Sequence, residues 1–471
     1  MTTKRSANRP PTGPGRSATT SVTHPDRARR PKHPGAALSD AIILAVGVVL
    51  VTVGIWVRHG GWAALTGGDW VEAWESVAQV TGLLTSTVAL IAIAVASRTH
   101  RFERAVGLDH ALLWHRWLAE SAALLLVAHI ASSVVAWSSR EGFADAIGEL
   151  VGEAQYMAMA TVGAAGMLLI TFLSLGFIRR RLSYETWYFI HLLIYASLAL
   201  AFAHEIFLGV DFALDPVARA FWIVLHVTVL LMVVLSRWGK AIRAMLRPLT
   251  VLSVTPLNDS VSAIELGGRN VADLRAAAGQ FALLRPLTRE LIWQPHPFSI
   301  SAAPRVDRIR FTIKALGGAS GMITRIPVGT KVALEGPYGT KIYEELRGDK
   351  LLLIAGGVGI GPVRSLLEDF EPDAQPVVIY RARRAEEIVH YDELVSLAET
   401  RNGRIIPVVG RTSELKDGNP FDPDVMRKLV PDVAQRVAVV CGSQPMIRAA
   451  FHCLRSCGVH EDDIHFERIW W

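Results

Sequence analysis

The sequence has only three cysteines in 471 residues, and all three, Cys441, Cys453 and Cys457, lie near its end. Three thiols are too few for an iron–sulfur cluster held by four thiolates. Cys453 and Cys457 are four residues apart, but no further Cys or His completes a metal-binding pattern, so we interpret them as helix packing. No EF-hand or ferredoxin segment is recognisable, so neither calcium gating nor an iron–sulfur relay is predicted within the chain.

Apolar residues are scarce in residues 1–36, which are rich in Pro, Arg, Ser and Thr. Such a segment buries too little surface to fold, so we predict a disordered basic tail. Its charged part is too long for a secretory signal peptide, and no clear small-residue cleavage site follows. The net charge of +6 is concentrated in this tail and in short loops beside apolar segments. Membrane topology explains that pattern, and nucleic acid is not expected as a partner.

Long apolar segments fill the first half of the remaining chain. The mean hydropathy is positive, +0.31, although 20% of residues are charged, so apolar and polar stretches are segregated. Each segment is near the ~20 residues that a helix needs to cross a bilayer. We predict six membrane-spanning helices, at about 41–57, 76–97, 111–137, 156–178, 186–203 and 220–236.

The loops between these segments alternate in charge. Basic loops face the cytoplasm, so both termini are predicted to be cytoplasmic, in a bacterial-type plasma membrane. Disulfides are then not expected among the C-terminal cysteines. The basic residues are Arg98, Arg101 and Arg104, then Arg179, Arg180 and Arg181, then Arg237, Lys240 and Arg243. The acidic residues of the outward loops are Asp69, Glu72 and Glu75, then Glu141, Asp145, Glu149 and Glu153, then Glu205, Asp211 and Asp215.

Four histidines lie inside the predicted spans, where ionisable residues are rare and costly. His115 and His129 are in span three, and His191 and His204 are in span five. Fourteen residues advance a helix by ~21 Å, so span three carries histidines at two depths. Span five runs in the same direction and pairs His191 with His115 and His204 with His129. Two histidine pairs at two depths are the ligand set of two stacked bis-histidine hemes.

Two points stay open in this interpretation. The thirteen residues from His191 to His204 leave them about 140° apart on an ideal helix, so span five must be distorted or its rings must swing. The alternative is that each histidine only bonds a neighbouring helix, which we prefer for the unpaired His226 of span six. Arginines near the inner level, Arg98, Arg101, Arg104 and Arg116, either bond heme propionates or, for the three loop residues, reflect topology alone.

From about Leu249 short β-rich runs separated by turns predict a small antiparallel barrel. His296-Pro297-Phe298-Ser299-Ile300 places an aromatic ring beside a hydroxyl, which suits stacking on a flavin and bonding its edge. The glycine-rich loop Gly317-Gly318-Ala319-Ser320-Gly321 precedes a helical turn, where free backbone N–H groups bind a pyrophosphate. Alternatively, Phe298 is only a core aromatic and the glycine-rich loop is only a turn.

After this barrel the pattern changes to α/β. An apolar strand leads into Gly356-Gly357-Val358-Gly359-Ile360-Gly361-Pro362 and a helix, which is a phosphate-binding arrangement with a spacing unlike the usual dinucleotide fingerprint. The next strand ends in Arg381, Arg383 and Arg384, which favours the 2′-phosphate of NADPH over NADH; a solvated basic turn is the alternative. Cys441-Gly442 opens another helix, so the thiol either stands near the nicotinamide or is an inert core residue.

These motifs together resemble the ferric reductase and NADPH oxidase superfamily of transmembrane flavocytochromes, whose C-terminal half is similar to ferredoxin reductase. The histidine spacings, the HPFSI, EGPYG, GGVGIGP and CGSQPM strings and the closing HFERIWW follow the family's order. The resemblance implies a multidomain membrane protein with a six-helix bundle, an antiparallel β-barrel FAD domain and an α/β nucleotide-binding domain. The expected bounds are 1–36 for the tail, 37–240 for the heme domain, 247–343 for the FAD domain and 348–471 for the NAD(P) domain.

The resemblance also implies roles for individual residues. Catalytic roles fall on Ser299, Cys441 and Trp471, and either Trp471 or its neighbour Trp470 is the aromatic that covers the flavin. The FAD and NAD(P)H sites include Gly317, Ser320, Gly321, Gly356, Gly357, Gly359, Gly361, Pro362 and Gly442, with the HPFSI residues and the basic residues Arg381 and Arg383. Soluble relatives usually carry Arg where His296 stands, whereas the membrane branch also uses His.

The expected function is electron transfer from cytoplasmic NAD(P)H through FAD and two b hemes to an acceptor outside, either oxygen, giving superoxide, or a ferric chelate. A heme-free membrane anchor whose flavin reductase serves a quinone or redox protein is the alternative, and a heme-containing redox sensor or partner subunit is a third. The lipid bilayer and a small-molecule acceptor are the expected partners, and no protein partner is specified.

Overall fold

The computed structural model describes residues 36–468 except 98, 100–101, 103–105, 107, 149–155, 214, 340–345, 347–349, 371–373 and 416–417. Several residues of the sequence analysis lie outside this part: the tail up to residue 35, Arg98, Arg101, Arg104, Glu149, Glu153, Trp470 and Trp471.

Helices make up the first half of the described chain. Six of them are long and apolar enough to cross a membrane, which confirms the predicted number of spans. Spans 1 to 6 are Leu38–Arg58, Trp70–Ala96, His110–Arg140, Met157–Ser174, Glu185–Leu208 and Pro216–Leu246. The helices are α1 Ala36–Arg58, α2 Gly61–Thr66, α3 Trp70–Ala96, α4 Leu108–Glu141, α5 Phe143–Gly148, α6 Met157–Ser174, α7 Gly176–Arg179, α8 Tyr184–Leu192, α9 Ile194–Leu208, α10 Val210–Ala213, α11 Pro216–Val233 and α12 Gly239–Leu246.

Aspartate side chains begin two of these spans. Asp69 accepts hydrogen bonds from the first backbone N–H groups of span 2, and Asp215 does so for span 6, where Pro216 occupies the first helical position. A carboxylate at this position satisfies N–H groups that have no partner within the helix and interacts favourably with the helix dipole. These caps fix the depth at which both spans start.

Span 5 is not one regular helix. Helix α8 ends at Leu192 and α9 begins at Ile194, and between them the N–H of Leu193 donates to the carbonyl of Ile190, three residues earlier, at 3.1 Å. Such a tight turn rotates the chain further per residue than an α-helix does. The break lies between His191 and His204, so the backbone of span 5 is distorted between its two histidines.

The first part of the C-terminal half is a six-stranded sheet in which all neighbouring strands are antiparallel, in the order β4-β3-β6-β1-β2-β5. An antiparallel bridge between Ile300 and Phe311 joins the two end strands, so the sheet closes into a barrel. Its elements are β1 Leu249–Pro256, β2 Val261–Gly267, α13 Val271–Leu274, β3 Phe281–Pro286, β4 His296–Ser299, β5 Arg308–Lys314, α14 Gly318–Ile323 and β6 Lys331–Tyr338.

The second part is a parallel five-stranded sheet in the order β11-β10-β7-β8-β9. The strand order reverses between β7 and β10, and in such sheets ligands bind outside the carboxyl ends of the strands at that point. Its elements are β7 Leu351–Gly356, α15 Ile360–Asp369, β8 Val377–Ala382, α16 Tyr391–Glu399, β9 Arg404–Val409, α17 Pro423–Leu429, β10 Val437–Gly442, α18 Gln444–Ser456 and β11 Ile464–Arg468.

The barrel packs against the end of the helical bundle. Lys240, in helix α12, lies over the ring of Tyr338 in β6, with Nζ 5.6 Å from the ring centroid. At the start of span 5, a carboxylate oxygen of Glu185 lies 3.7 Å from where a Cβ would stand on Gly318. The motif loops of the barrel are therefore adjacent to the end of span 5 that carries His191.

A network of charged side chains joins the barrel to the parallel sheet. Glu393 of α16 pairs with Arg310 of β5 at 3.0 Å and, at a shorter distance, with the buried Arg364 of α15. The buried His390 contacts Thr312 of β5 through Nε2 at 2.9 Å. These contacts set the orientation of one domain against the other, because each pair that involves β5 has one member in each domain.

We expect His390 to make the stability of this module depend on pH. Burial, followed by the charge of Arg310, lowers the pKa of His390 to about 4. The unfolded chain binds this proton at higher pH than the folded chain, so stability falls as the pH is lowered from about 6.5 to about 4. His390→Gln should remove on the order of 2 kcal/mol of this dependence, measured by urea unfolding of the purified chain at several pH values. The exposed His460→Gln is the control, and an equal effect of both substitutions would contradict the assignment.

Candidate functional site

The two histidines nearest the barrel face each other across the bundle. The ring centroids of His115 and His191 are 6.0 Å apart. About 6 Å is the separation that two imidazoles need to bind one metal ion from opposite sides through ~2 Å bonds. Within the described part of the chain no cluster of three or more His, Cys, Asp or Glu could hold a metal ion. A pair of imidazoles therefore suits a metal whose other ligands come from a macrocycle.

Span 2 orients both histidines of span 3. Nδ1 of His115 lies 2.9 Å from the carbonyl oxygen of Ala92, and Nδ1 of His129 lies 2.8 Å from that of Ala78. A carbonyl can only accept, so Nδ1 carries the proton in each ring and Nε2 keeps its lone pair for a metal. Ala78 and Ala92 are fourteen residues apart, as His115 and His129 are. Because the two spans run antiparallel, the first histidine contacts the second alanine and the second histidine contacts the first.

Gly82 of span 2 leaves room for one of these rings. A Cβ on Gly82 would stand 2.9 Å from Nδ1 of His129, which is closer than real Cβ atoms approach. The absence of a side chain therefore lets the ring of His129 lie against the backbone of span 2.

The histidines of span 5 are held differently. His191 stacks on Trp187, with centroids 5.0 Å apart, and its Nδ1 lies 3.4 Å from the hydroxyl of Ser174. His204 is within electrostatic range of His129, but its buried Nδ1 has no hydrogen-bond partner among the described residues.

Two other candidates in the spans have partners of their own. The unpaired His226 places Nδ1 2.9 Å from the carbonyl of Trp222 in its own helix. Arg116, which the sequence offered for a heme propionate, pairs with Glu120 at 2.8 Å on an exposed surface.

The crevice of the parallel sheet is lined by glycines. Gly356 ends β7 and Gly442 ends β10, and Met446 of α18 lies so close to both that a Cβ on either would approach its side chain to 2.6 Å or less. Gly357 has a φ of +55° and open space where a Cβ would stand. Gly359 is buried at the start of α15. Gly357 thus offers open backbone just after β7, at the edge of the sheet where nucleotide phosphates bind in folds of this kind.

A hydroxyl and a carboxylate meet at the barrel side of this crevice. Ser299, at the end of β4, donates a hydrogen bond from its hydroxyl to Glu467 of β11 at 3.1 Å. Glu467 is in register with Cys441 on the neighbouring strand β10. Glu467 was not predicted as a site residue, although it lies in the HFERIWW string; an acidic residue in the last strand was the available signal.

Several predicted contact residues are buried in cores instead. Phe298 is 5% exposed and belongs to the barrel core, and Ile300 is fully buried beside Phe311. Gly361 faces Ser301, with 3.4 Å between the built Cβ and that side chain. Strand alternation explains this placement, because His296 and Phe298 point inward whereas Pro297 and Ser299 point to the other face. Phe298 and Ile300 thus pack in the barrel core, and their predicted cofactor contacts, like that of Gly361, stay predictions.

Cys441 and Pro362 are buried as well. Cys441 is fully buried, and burial, followed by the charge of Glu467, raises the pKa of its thiol well above the ordinary value. The thiol stays protonated and packs in the sheet core, which argues against a nucleophilic role. Pro362 is buried within helix α15.

The glycine-rich loop and His296 face the bundle. Gly317 has a φ of +95°, and neither it nor Gly321 has an atom within 4 Å of a built Cβ. Ser320 uses its hydroxyl to accept from the N–H of Leu316 at 2.9 Å and to donate to the carbonyl of Gly317 at 2.8 Å. Burial lowers the pKa of His296, opposed by Glu185 and assisted by Arg285, so this imidazole is neutral near pH 7.

The basic residues after β8 differ in their availability. Arg381 donates to the carbonyl oxygens of Ala382 and Val408 at 2.7 and 3.1 Å. Arg383 is exposed at the same edge of the sheet. Arg384 lies 3.4 Å from Glu387.

Three family models match the chain in succession. Residues 42–202 match the ferric reductase like transmembrane component, 247–342 an FAD-binding domain and 353–452 the oxidoreductase NAD-binding domain. The chain belongs to the ferric reductase and NADPH oxidase superfamily. The transmembrane match includes His115, His129 and His191 and ends two residues before His204. The chain therefore combines a ferric reductase-like membrane domain with an FAD-binding domain and an oxidoreductase NAD-binding domain. Its six long apolar helices support an integral membrane protein.

Curated relatives share the C-terminal half. The reductase component of propane 2-monooxygenase from Rhodococcus jostii (strain RHA1) is 26% identical over 237 residues, which cover 46% of this chain and 62% of that protein. A flavohemoprotein of Oceanobacillus iheyensis is 25% identical over 184 residues, 36% of this chain and 45% of that protein. The chain thus spans less than two thirds of the length of these two relatives.

Solved structures match the same region. A ferredoxin reductase of carbazole 1,9a-dioxygenase aligns with a TM-score of 0.41 and 22% identity over 47% of this chain and 69% of that chain. The flavohem-like FAD/NAD-binding domain of nitric oxide dioxygenase from Vibrio cholerae O1 biovar El Tor aligns with a TM-score of 0.41 and 18% identity over 47% and 98%.

Loss of the hydrogen bond between Ser299 and Glu467 should slow flavin reduction. Glu467→Gln removes the charge that holds the Ser299 hydroxyl, and we expect NADPH to reduce the flavin roughly ten-fold more slowly, corresponding to about 1.4 kcal/mol. Stopped-flow bleaching of flavin absorbance measures the rate. Glu461→Gln, on an exposed turn, is the control, and unchanged rates in both Glu467→Gln and Ser299→Ala would contradict this role.

A methyl group on Gly82 should displace the ring of His129. If His129 is a ligand of a heme, Gly82→Ala should lower heme bound per FAD by about half, because the displaced imidazole no longer reaches the iron. Heme and flavin absorbance of the purified protein give the ratio. Gly54→Ala in span 1 is the matched control, since a Cβ there meets no atom within 4 Å. Equal ratios in the two variants would show that His129 does not need this space.

Proposed function

We propose that this protein carries electrons from NADPH across the membrane, through FAD and two b hemes, to an acceptor on the face opposite the FAD and NAD domains. The observation that carries the proposal is the 6.0 Å separation of the His115 and His191 rings, together with the span 2 carbonyls that leave Nε2 of His115 and His129 free to bind metal. When bound, FAD accepts a hydride from NADPH and releases its electrons singly to the hemes.

The protein's own residues prepare each stage. The hydroxyl of Ser299 and the carboxylate of Glu467 hold one polar edge of the flavin site. His115 and His191 would bind the heme nearer the barrel, and His129 and His204 the farther one. Because two histidines of the protein would hold each heme iron, the acceptor would receive an electron without binding iron.

The face on which each domain lies follows from the loop charges. Arg179, Arg180 and Arg181 lie after span 4, and Lys240 and Arg243 lie in α12 beside the barrel. Basic residues concentrate on the cytoplasmic side, which supports a cytoplasmic location for the FAD and NAD domains.

The choice of NADPH over NADH rests on the arginines at the end of β8 and just after it. Arg381 is engaged with backbone carbonyls, so the exposed Arg383 is the proposed contact for the 2′-phosphate of NADPH. NADH remains a weaker substrate in this proposal.

The decisive experiment measures heme content and acceptor together. The purified full-length protein in vesicles should show a bis-histidine heme spectrum on reduction with NADPH. Consumption of NADPH is then compared under air and under argon with a ferric chelate. No activity without oxygen would leave oxygen as the acceptor and reject the chelate; activity under argon would support ferric reduction.

Removal of one farther ligand separates the membrane step from flavin chemistry. In His204→Leu, NADPH should still reduce the flavin, while acceptor reduction across the vesicle membrane falls roughly 100-fold or more. His110→Leu, an exposed histidine at the start of the same span as His115, is the control. Full activity in a preparation with FAD and no Soret band would instead support a heme-free flavin reductase.

A further inference from the structure

A carboxylate next to His204 lies within span 5 and has no part in the proposed electron path. Glu205 has 16% of its side chain exposed. An ionisable residue inside a span is costly unless the bundle gives it partners. Glu205 has partners in two other spans, so its position is built into the fold.

The partners of Glu205 tie three spans together. Oε1 accepts a short hydrogen bond from the hydroxyl of Ser86 in span 2, and Oε2 accepts one from the indole N–H of Trp222 in span 6 at 2.7 Å. Nε2 of His226 lies 3.7 Å from Oε2. Trp222 is fully buried, so this connection lies inside the bundle. These hydrogen bonds satisfy both oxygens of this largely buried carboxyl group.

The span 2 partner is on the face that seats His129. Ser86 follows Gly82 by four residues, or about one helical turn, and the ring of His129 lies against Gly82. Ala78, whose carbonyl orients His129, is one turn in the other direction. The same stripe of span 2 therefore contacts His129 and, through Ser86, the residue after His204.

His204 depends on this contact more than its counterparts depend on theirs. The other three histidines each have a neighbouring oxygen at Nδ1, whereas Nδ1 of His204 has no partner among the described residues. The turn at Leu193 changes the rotation of α9 relative to that of α8. Among the described residues, no hydrogen bond at Nδ1 fixes the direction in which the ring of His204 points.

We infer that Glu205 is a positioning residue, which sets the rotation of helix α9 so that His204 faces His129. The inference rests on the proposed binding of two hemes. In this role the side chain of Glu205 only accepts hydrogen bonds from Ser86 and Trp222. It transfers no proton or electron.

The test compares two tryptophan-to-phenylalanine variants of the full-length protein. Trp222→Phe removes the indole N–H that donates to Glu205. The control, Trp56→Phe, removes a similar hydrogen bond between spans 1 and 2, from Trp56 to Ser76 at 3.0 Å. Glu205→Ala removes both connections, and Glu205→Gln keeps an acceptor of the same shape. The readouts are heme per FAD and the low-temperature EPR signal of each heme.

We expect Glu205→Ala to reduce heme per FAD from two to about one, with loss of one EPR signal. Trp222→Phe should shift that signal without changing the other, and Glu205→Gln should restore most of it. Trp56→Phe should resemble the unaltered protein. Bound FAD and its reduction by NADPH establish that each variant is folded.

Two results would overturn the inference while the proposed function stands: two unaltered heme signals in Glu205→Ala, or equal changes in Trp56→Phe and Trp222→Phe. Absence of heme from the unaltered protein would instead reject the proposed function. The two failures are therefore distinguishable.

Discussion

The arrangement of the membrane half depends on hydrogen bonds from imidazole Nδ1 groups of span 3 to backbone carbonyls of span 2. These carbonyls belong to Ala92 and Ala78, and each already serves a helix, so a side chain can share it without breaking the helix. The bonds fix the tautomer of His115 and His129 and the direction of Nε2. Because the two spans are antiparallel and both spacings are fourteen residues, one helix pair presents two equivalent imidazoles at two depths.

Span 5 has to supply the opposing imidazoles with a spacing of thirteen, which a regular helix cannot match. The turn at Leu193 changes the rotation between α8 and α9, and the Glu205 contacts then connect α9 to spans 2 and 6. At its other end, span 5 brings Glu185 close to Gly318, so the glycine-rich loop of the barrel lies near the histidine pair of His115 and His191. One span therefore contacts both histidine levels and the reductase domains.

Much of this architecture was predictable because it follows from periodic or composition-based signals. Membrane spans require about twenty apolar residues, and the six predicted segments are confirmed. The superfamily was recognisable from motifs in a fixed order. The burial of Phe298, Ile300 and Cys441 was less predictable, since a motif does not state which face of a strand each residue occupies. Glu467 was missed because its partner Ser299 is 168 positions away in the chain.

The sequence by itself determined the number of spans, the order of the domains and the presence of two histidine pairs, since hydropathy, glycine-rich strand ends and residue spacing are local properties. Only the tertiary structure decided where span 5 bends, which carbonyl each histidine of span 3 contacts and which carboxyl groups bond Ser299 and Ser86. Those contacts join residues far apart in the chain, and their geometry depends on helix rotation and strand register. Both are fixed by packing between elements and not by any single segment.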